Sequence, residues 1–332
     1  MSDNTKTLSE QRGLSLPAFL KTANLREGAG LVAIYVLILV VMSSLSPYFL
    51  TTRNFINLLL YSSTLGIIAM FTTMLMVGGG LDMSVGSTVA LVGVVISHTQ
   101  YALGIWGAVA VGVLVAVLIG VINGLLVTRV GINALIATLG MLSVARGFAF
   151  VFSNGLTEPV LDPAFGKLGR GFILGLPVPV IVLVVLIVGA YIVMRHTNYG
   201  RAMYSIGGNP VASHLAGLPV RRYQFIAFVM SGLSAGIASV FLTSQLGAGA
   251  PQAAQGLELS VIGAVILGGT SLAGGKGTIL GTLIGVLILG TLNNGMVLLS
   301  VSSYYQQIAQ GVVLLLAVGL DQFRIGALGR RQ

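Results

Sequence analysis

The chain has 332 residues, of which 55% are hydrophobic and only 8% are charged, and its formal net charge is +9. Soluble domains carry about 25% charged residues, so the composition excludes a typical soluble enzyme and an intrinsically disordered chain. The 46 glycines are about twice the number expected at ~7%, which fits close helix packing in lipid. Because there is no cysteine, a disulfide framework and a thiolate metal site are excluded.

Ten apolar segments approach the length of a membrane-spanning helix, which needs about 20 apolar residues. In chain order they are 29–49, 54–77, 83–96, 104–128, 133–152, 178–194, 225–246, 258–272, 278–292 and 305–320. They lack the polar–apolar alternation of an outer-membrane barrel. The third, eighth and ninth are short enough to be half-helices. The sequence therefore predicts an all-α polytopic membrane protein with about ten transmembrane helices, some of them short or broken.

The basic residues indicate the orientation, because cytoplasmic loops are enriched in Lys and Arg. With ten spans and the N-terminus inside, only Arg53, Lys167 and Arg170 of the 17 basic residues lie outside, and Arg146 lies within a span. This distribution accounts for the net charge without a nucleic-acid partner. No removable signal peptide is apparent. We expect two cytoplasmic tails, residues 1–28 and 321–332, on either side of a transmembrane domain, residues 29–320.

An internal repeat is visible in the sequence. Its matching segments, in the same order in both copies, are 66–79 with 236–249, 81–93 with 257–269, and the Asn-Gly pairs 123–124 with 294–295. Asp82 is aligned with Glu258. With ten spans and the N-terminus inside, the two copies run through the membrane in opposite directions, an arrangement typical of transporters with a central pathway. We predict repeat halves at about 54–152 and 224–320; chance similarity between apolar helices is the alternative.

Six polar residues in or beside the spans are candidates for a pathway or for breaks in its helices: Asp82, Ser84, Arg146, Glu258, Ser260 and Asn294. Asp82 and Glu258 begin apolar segments, where N-capping and compensation of the helix dipole are the simpler interpretation. A charge at Arg146 costs roughly 2.5–3.5 kcal/mol at mid-bilayer. We expect Arg146 to pair with Asp82 or Glu258, or to extend to the outer interface. For Asn294, hydrogen bonds between helices are the simpler interpretation, and contact with a hydroxyl-bearing substrate is the alternative.

The longest cytoplasmic connection, residues 195–224, contains signals for a short helix. Asn209 can cap it, Pro210 suits its first position and Gly217 can end it, which predicts a helix over Pro210–Ala216. A short amphipathic helix held between two spans is a docking site for a cytoplasmic partner; a structured loop without a partner is the alternative.

From about Leu45 onward the chain resembles the permease subunits of bacterial ATP-binding-cassette importers for monosaccharides, the ribose, xylose and arabinose group. Its second half looks most like the ribose permeases. The matching stretches are GGGLDMSVGS (78–87), INALIATLGMLSVARG (132–147), YGRAMYSIGGNPVASHLAGLPV (199–220), the segment 256–299, and SSYYQQIAQGVVLLLAV (302–318). Their length, order and spacing agree with that family.

The resemblance implies an inner-membrane protein that works as a homo- or heterodimer of permease subunits. Its other partners would be a periplasmic sugar-binding protein and cytoplasmic ATPase subunits. Because the ATPase is separate, this chain is expected not to be an enzyme and to need no cofactor or metal. The residues that the resemblance assigns to the ATPase-coupling segment are Gly200, Arg201, Gly207, Gly208, Asn209, Pro210, Ala212, His214 and Gly217.

Other functions have weaker support. The AGGKGT stretch is not a phosphate-binding loop, because Thr270 stands where its first glycine is required and Gly277 where Ser or Thr is required; it predicts a tight cytoplasmic turn. A secondary, ion-coupled sugar transporter is the main alternative. Such carriers usually bury acidic residues for ion coupling, and here only Asp82 and Glu258 approach the membrane. No polar cluster typical of a membrane-embedded enzyme is apparent.

Overall fold

The computed structural model describes the backbone of residues 18–329 and the side chains of residues 29–319. Its helices are α1 (Ala18–Leu45), α2 (Thr52–Val77), α3 (Val85–Leu125), α4 (Ala134–Ser153), α5 (Pro163–Arg170), α6 (Val178–His196), α7 (Asn198–Gly208), α8 (Pro210–Leu215), α9 (Val220–Leu246), α10 (Leu257–Leu267), α11 (Ile279–Leu298) and α12 (Ser303–Gly329). A π-helical turn, Leu126–Val130, follows α3. Four two-residue strands are β1 (Glu158–Pro159), β2 (Phe172–Ile173), β3 (Leu176–Pro177) and β4 (Ala248–Gly249). β1 pairs with β4 and β2 with β3, both antiparallel.

Six helical segments of the described chain are long and apolar enough to cross a membrane: Thr52–Val77, Val85–Val130, Ala134–Ser153, Val178–His196, Val220–Leu246 and Ile279–Leu298. Ala29–Leu45 and Leu257–Leu267 are shorter apolar helices. The predicted helical, polytopic membrane fold is therefore confirmed.

α3 is a helical hairpin and not a straight rod. Gly104 has φ 66° and ψ 168°, a backbone conformation that glycine adopts at no steric cost. Beyond it, Gly112 lies directly against Ile96 of the first arm, and Asn123 near the end of the second arm reaches back to Ser84 with an Nδ2–Oγ distance of 2.9 Å. The two arms, residues 85–103 and 105–125, are therefore antiparallel and correspond to the third and fourth predicted segments.

α2 and α9 form the centre of the bundle. α2 is buried without interruption from Ser62 to Val77. The second arm of α3 packs on α9 so closely that their backbones are in contact. Gly120 faces Gly232, and a side chain on either glycine would collide with the other helix. Small residues allow this approach, which gains dispersion energy where lipid offers no hydrophobic driving force. The high glycine content is thus used in helix contacts.

The outer helices present large apolar side chains to the surroundings. Examples from α1, α3, α4, α6 and α12 are Leu37, Leu114, Ile136, Val185 and Leu315, each more than half exposed. A soluble protein rarely exposes apolar surface on this scale, whereas in a bilayer these side chains contact lipid.

The connections gather at two ends of the bundle. At one end, the α7 end, the Gly275 N–H donates to the Val77 carbonyl at 2.8 Å. At the other, the α5 end, Gln100 Nε2 donates to the Pro159 carbonyl at 2.9 Å, and Gly169 N–H donates to Ser244 Oγ at 2.7 Å. The ten-span topology predicted from the sequence places the connections of the α7 end on the inside of the membrane and those of the α5 end on the outside.

Several element boundaries differ from the prediction. α1 begins at Ala18, inside the predicted 28-residue tail, and residues 1–17 lie outside the described part of the chain. α11 has 20 residues, so the ninth predicted span is not short, whereas α10 has 11 and remains so. α7 was not predicted. Its start signal, Thr197, accepts a hydrogen bond from Gly200 N at 3.4 Å.

Candidate coupling and transport site

α8 is the short helix that the sequence predicted between the sixth and seventh spans. Asn209 Oδ1 accepts a hydrogen bond from Ala212 N at 2.9 Å, Pro210 occupies the first turn, and Gly217 ends the helix with φ 85°. The side chains of Val211 and Leu215 are 68% and 82% exposed, and His214 is exposed too. α8 therefore presents an apolar surface with one histidine outside the helical bundle.

α7 joins α8 to the end of α6. Gly200 packs against the Met194 backbone so tightly that a side chain at position 200 would collide with the Met194 carbonyl. Arg201 hydrogen-bonds Asn198 within the first turn. These contacts place α7 directly under the end of α6, so α7 and α8 follow the transmembrane helices without an intervening flexible segment.

α7 contacts two glycine-rich turns of the bundle. We call residues 78–80, which follow α2, the first glycine turn, and residues 274–277, which precede α11, the second. Gly207 lies against the Val77 carbonyl and the Gly275 amide, which are hydrogen-bonded to each other, and Met203 packs on Gly78. Gly208, next to Gly207, has open space beside it.

Tyr204 adds a polar contact between α7 and the second glycine turn. Its hydroxyl donates a hydrogen bond to the Gly277 carbonyl at 2.8 Å. Burial raises the pKa of Tyr204, so the hydroxyl remains protonated and can donate throughout the neutral range. The predicted tight turn around Lys276 is present, because Gly274, Gly275 and Gly277 all have positive φ.

Asp82 connects the first glycine turn to α9 through a buried polar cluster. Its side chain is 2% exposed. Oδ1 accepts from Ser84 N at 2.9 Å and from Ser84 Oγ at 2.6 Å, and Oδ2 accepts from Ser231 Oγ at 2.8 Å. Asn123 Nδ2 donates to Ser84 Oγ at 2.9 Å and to Asp82 Oδ1 at 3.5 Å. Since Ser84 occupies the N-cap position of α3, Asp82 binds the residues around the helix start and does not cap the helix itself.

Arg146 holds the loop before α10. Nη1 donates to the Pro251 carbonyl at 2.6 Å and to the Ala253 carbonyl at 2.9 Å. Arg146 and Glu258 attract each other electrostatically, but the expected ion pair with Asp82 or Glu258 is not formed at 4 Å or less in the described chain. The loop carbonyls have no helical partners, and a guanidinium satisfies two of them at once.

The starts of α3 and α10 meet inside the bundle. Gly86 faces the Glu258 carboxylate and the Ala254 carbonyl so closely that a methyl group at position 86 would collide with both. From this point the first arm of α3 leads to the α5 end, and α10 leads to the second glycine turn at the α7 end. The two helix starts aligned in the internal repeat are thus neighbours, and the helices diverge in opposite directions.

A polar cavity of ≈ 320 Å³ lies between α2, α9, α10, α11 and α12. Its polar lining includes Tyr61, Thr64, Gln245, Ser260, Asn293 and Gln310. Ser260, a predicted pathway residue, also lines the cavity, and its Oγ donates to the Gly256 carbonyl at 3.4 Å. The sequence analysis did not single out Gln245 or Gln310. Amides inside apolar spans were the signal that could have found them.

Asn294 forms hydrogen bonds between two helices. Its Nδ2 donates to Asn54 Oδ1 at 2.8 Å, and Asn54 Nδ2 donates in return to Asn294 Oδ1 at 3.0 Å. This buried, reciprocal amide pair joins α11 to the start of α2. Asn294 therefore has its hydrogen bonds satisfied by protein.

The family model described as branched-chain amino acid transport system / permease component matches residues 54–318, which covers the transmembrane bundle described above. The chain belongs to this permease family. Its members are transport components, and the chain is accordingly a multi-pass protein of the inner membrane.

Individual relatives cover nearly the whole chain. The ribose import permease protein RbsC of Escherichia coli (strain K12) is 41% identical over 324 residues, which cover 96% of this chain and 98% of the relative. RbsC of Bacillus subtilis (strain 168) is 41% identical over 86% of this chain and 90% of its own length. The L-arabinose ABC transporter permease protein AraH of Azospirillum brasilense is 42% identical over 89% and 88%. No solved structure gives a significant match. The resemblance to monosaccharide permeases is confirmed.

Proposed function

We propose that the chain is the membrane-spanning permease subunit of an ATP-driven importer for a monosaccharide. Its relatives are named for ribose and L-arabinose import, and one is named as part of an ABC transporter. A periplasmic binding protein delivers the sugar, and separate ATPase subunits hydrolyse ATP at the cytoplasmic face. Two permease subunits, identical or different, form the path. An ion-coupled secondary transporter is not favoured by these relatives.

The observation that carries the proposal is the position of α7 and α8. α8 exposes Val211 and Leu215, a surface suited to an ATPase, and α7 contacts both glycine turns. Movement of α8 by the ATPase is therefore passed to the end of α2 and to the turn between α10 and α11. These turns adjoin the helix starts at Asp82 and the end of α10, so one displacement acts on both sides of the pathway.

In this proposal the chain crosses the membrane ten times, with both termini in the cytoplasm. The six long apolar segments supply seven of the spans, because α3 is a hairpin. α1, α10 and α12 supply the others. The α7 end is cytoplasmic, which agrees with the excess of basic residues there, including Arg129, Arg195, Arg201 and Arg221.

Matched contacts support an inverted repeat with halves at about 54–152 and 224–320. Asp82, just before α3, accepts a hydrogen bond from Ser231 of α9. In the aligned positions, Ser260 of α10 and Tyr61 of α2 line the same cavity. Each repeat thus places its broken helix against the long helix of the other repeat, as expected for two halves related by a pseudo-twofold axis in the membrane plane.

Leu215→Asp tests the docking surface, with Leu174→Asp as its matched control. Both leucines are highly exposed, at 82% and 98%, and lie at opposite ends of the bundle. We expect Leu215→Asp to abolish co-purification of the co-expressed ATPase and ATP-driven sugar uptake, and Leu174→Asp to retain ATPase binding. ATPase binding that survives Leu215→Asp and deletion of residues 210–216, or uptake that continues without ATP while the proton gradient is kept, contradicts the proposal.

A further inference from the structure

We infer that the polar cavity between α2, α9 and α12 binds the transported sugar directly, with Thr64 and Gln245 as hydrogen-bonding residues. The inference rests on the proposed function and adds to it a contact site and a substrate chemistry. Neither residue belongs to the candidates suggested by the sequence.

Two side-chain atoms in the cavity wall are buried and without a partner. Thr64, on α2, is 6% exposed, and its Oγ1 makes no hydrogen bond within the described residues; the same holds for Gln245 Nε2 on α9. Leaving a buried polar group unpaired costs about 1–3 kcal/mol. Both residues line the same cavity, so a polar ligand toward which these two side chains turn can pair with a hydroxyl from α2 and an amide from α9.

The lining selects for an uncharged ligand. It consists of hydroxyl, amide and apolar groups, and among residues 29–319, whose side chains the structure describes, no Asp, Glu, Lys or Arg lines the cavity. A free amino acid would bring a carboxylate and an ammonium into this site without countercharges, at a large desolvation cost. Sugar hydroxyls both donate and accept, and they match amide and hydroxyl side chains. The cavity thus favours a sugar over the branched-chain amino acids in the description of the family model.

Size and position agree with a single monosaccharide in transit. At ≈ 320 Å³ the cavity is near the lower limit of ligand pockets, which span about 300–1,000 Å³. It adjoins Ala254, Gly256 and Leu257, the segment that follows the Arg146-bound carbonyls and begins α10. A sugar in the cavity therefore contacts the helix start that the second glycine turn connects to α7.

The test is Thr64→Val, with Thr72→Val as the matched control. Thr72 lies on the same helix, is fully buried, and has an equally unpartnered Oγ1, but it does not line the cavity. Each variant is purified as the complete transporter with its ATPase and binding protein and reconstituted in vesicles. Uptake of radiolabelled D-ribose, L-arabinose and D-xylose is measured together with the melting temperature, and L-leucine serves as a competitor.

We expect Thr64→Val to lower sugar uptake about 3- to 10-fold, the loss of one hydrogen bond, without lowering the melting temperature. Gln245→Leu should act similarly, Thr72→Val should leave uptake unchanged, and leucine should not compete. Unaltered uptake in Thr64→Val, or an equal loss in Thr72→Val, overturns the inference alone. A wild-type transporter that takes up none of these sugars with ATP contradicts the proposed function, and the inference with it.

Discussion

Asp82 is the residue at which a buried carboxylate joins three separate parts of the chain. Ser84, Ser231 and Asn123 surround it with hydrogen-bond donors. A buried carboxylate is tolerable only when such donors replace water. The cluster thus holds the break between α2 and α3 against α9. A serine that donates to Asp82 should therefore contribute more to the free energy of unfolding than a buried serine elsewhere.

Ser231→Ala should destabilise the protein by about 1–3 kcal/mol, because it leaves Asp82 Oδ2 without its donor. Ser234→Ala is the matched control. Ser234 lies on the same helix and is equally buried, but its hydroxyl donates to the Ser231 carbonyl within α9, so little should change. Thermal unfolding of both variants in detergent measures the difference. Equal melting temperatures for the two would contradict the role given to the Asp82 cluster.

At the scale of elements, α7 is the connection between the exposed α8 and the bundle. It contacts the end of α2 through Gly207 and the second glycine turn through Tyr204. The contact at Gly207 leaves no space for adjustment, since backbone atoms of Val77 and Gly275 lie where any other residue would carry its Cβ. α7 therefore has to move together with both turns.

Gly207→Ala should break this contact, whereas Gly208→Ala should not. A methyl group at position 207 meets the Val77 carbonyl and the Gly275 amide, while position 208 has open space. Overpacking of this kind costs about 1–3 kcal/mol. We expect Gly207→Ala to lower the melting temperature and ATP-driven uptake, and Gly208→Ala to leave the melting temperature near wild type. Equal melting temperatures in the two variants, or wild-type uptake in Gly207→Ala, would show that α7 does not transmit movement through Gly207.

At the scale of the whole molecule, the two ends of the bundle differ in charge and in contacts, and the proposed topology assigns them to opposite sides of the membrane. Because the chain contains no cysteine, single cysteines can report this assignment without background. Leu174, in the β2–β3 turn, and Leu215, on α8, are exposed and lie at the α5 end and the α7 end.

We expect Leu174→Cys to react with a membrane-impermeant maleimide in intact spheroplasts, and Leu215→Cys to react only after permeabilisation. The chain without cysteine is the control for background labelling. Labelling of Leu215→Cys in intact spheroplasts would place α8 in the periplasm, where no ATPase could reach it, and would reverse the topology.

The sequence by itself determined the properties that depend on local spacing. Runs of apolar residues set the helical, membrane-spanning class and the approximate bounds of the long helices, because a helix crosses lipid only when its backbone hydrogen bonds are satisfied internally. The signals at Asn209, Pro210 and Gly217 located α8, since capping depends on neighbouring residues alone. The repeat located Asp82 and Glu258 at two equivalent helix starts.

Only the tertiary structure decided which of these elements touch. It placed Arg146 on the loop carbonyls of Pro251 and Ala253, Gly207 on the end of α2 and the second glycine turn, and Thr64 and Gln245 in the wall of one cavity. These partners are far apart in the chain, and the same apolar pattern permits many helix arrangements. Backbone contact at glycines and the pairing of buried polar groups select one of them, and neither can be seen until the helices are packed.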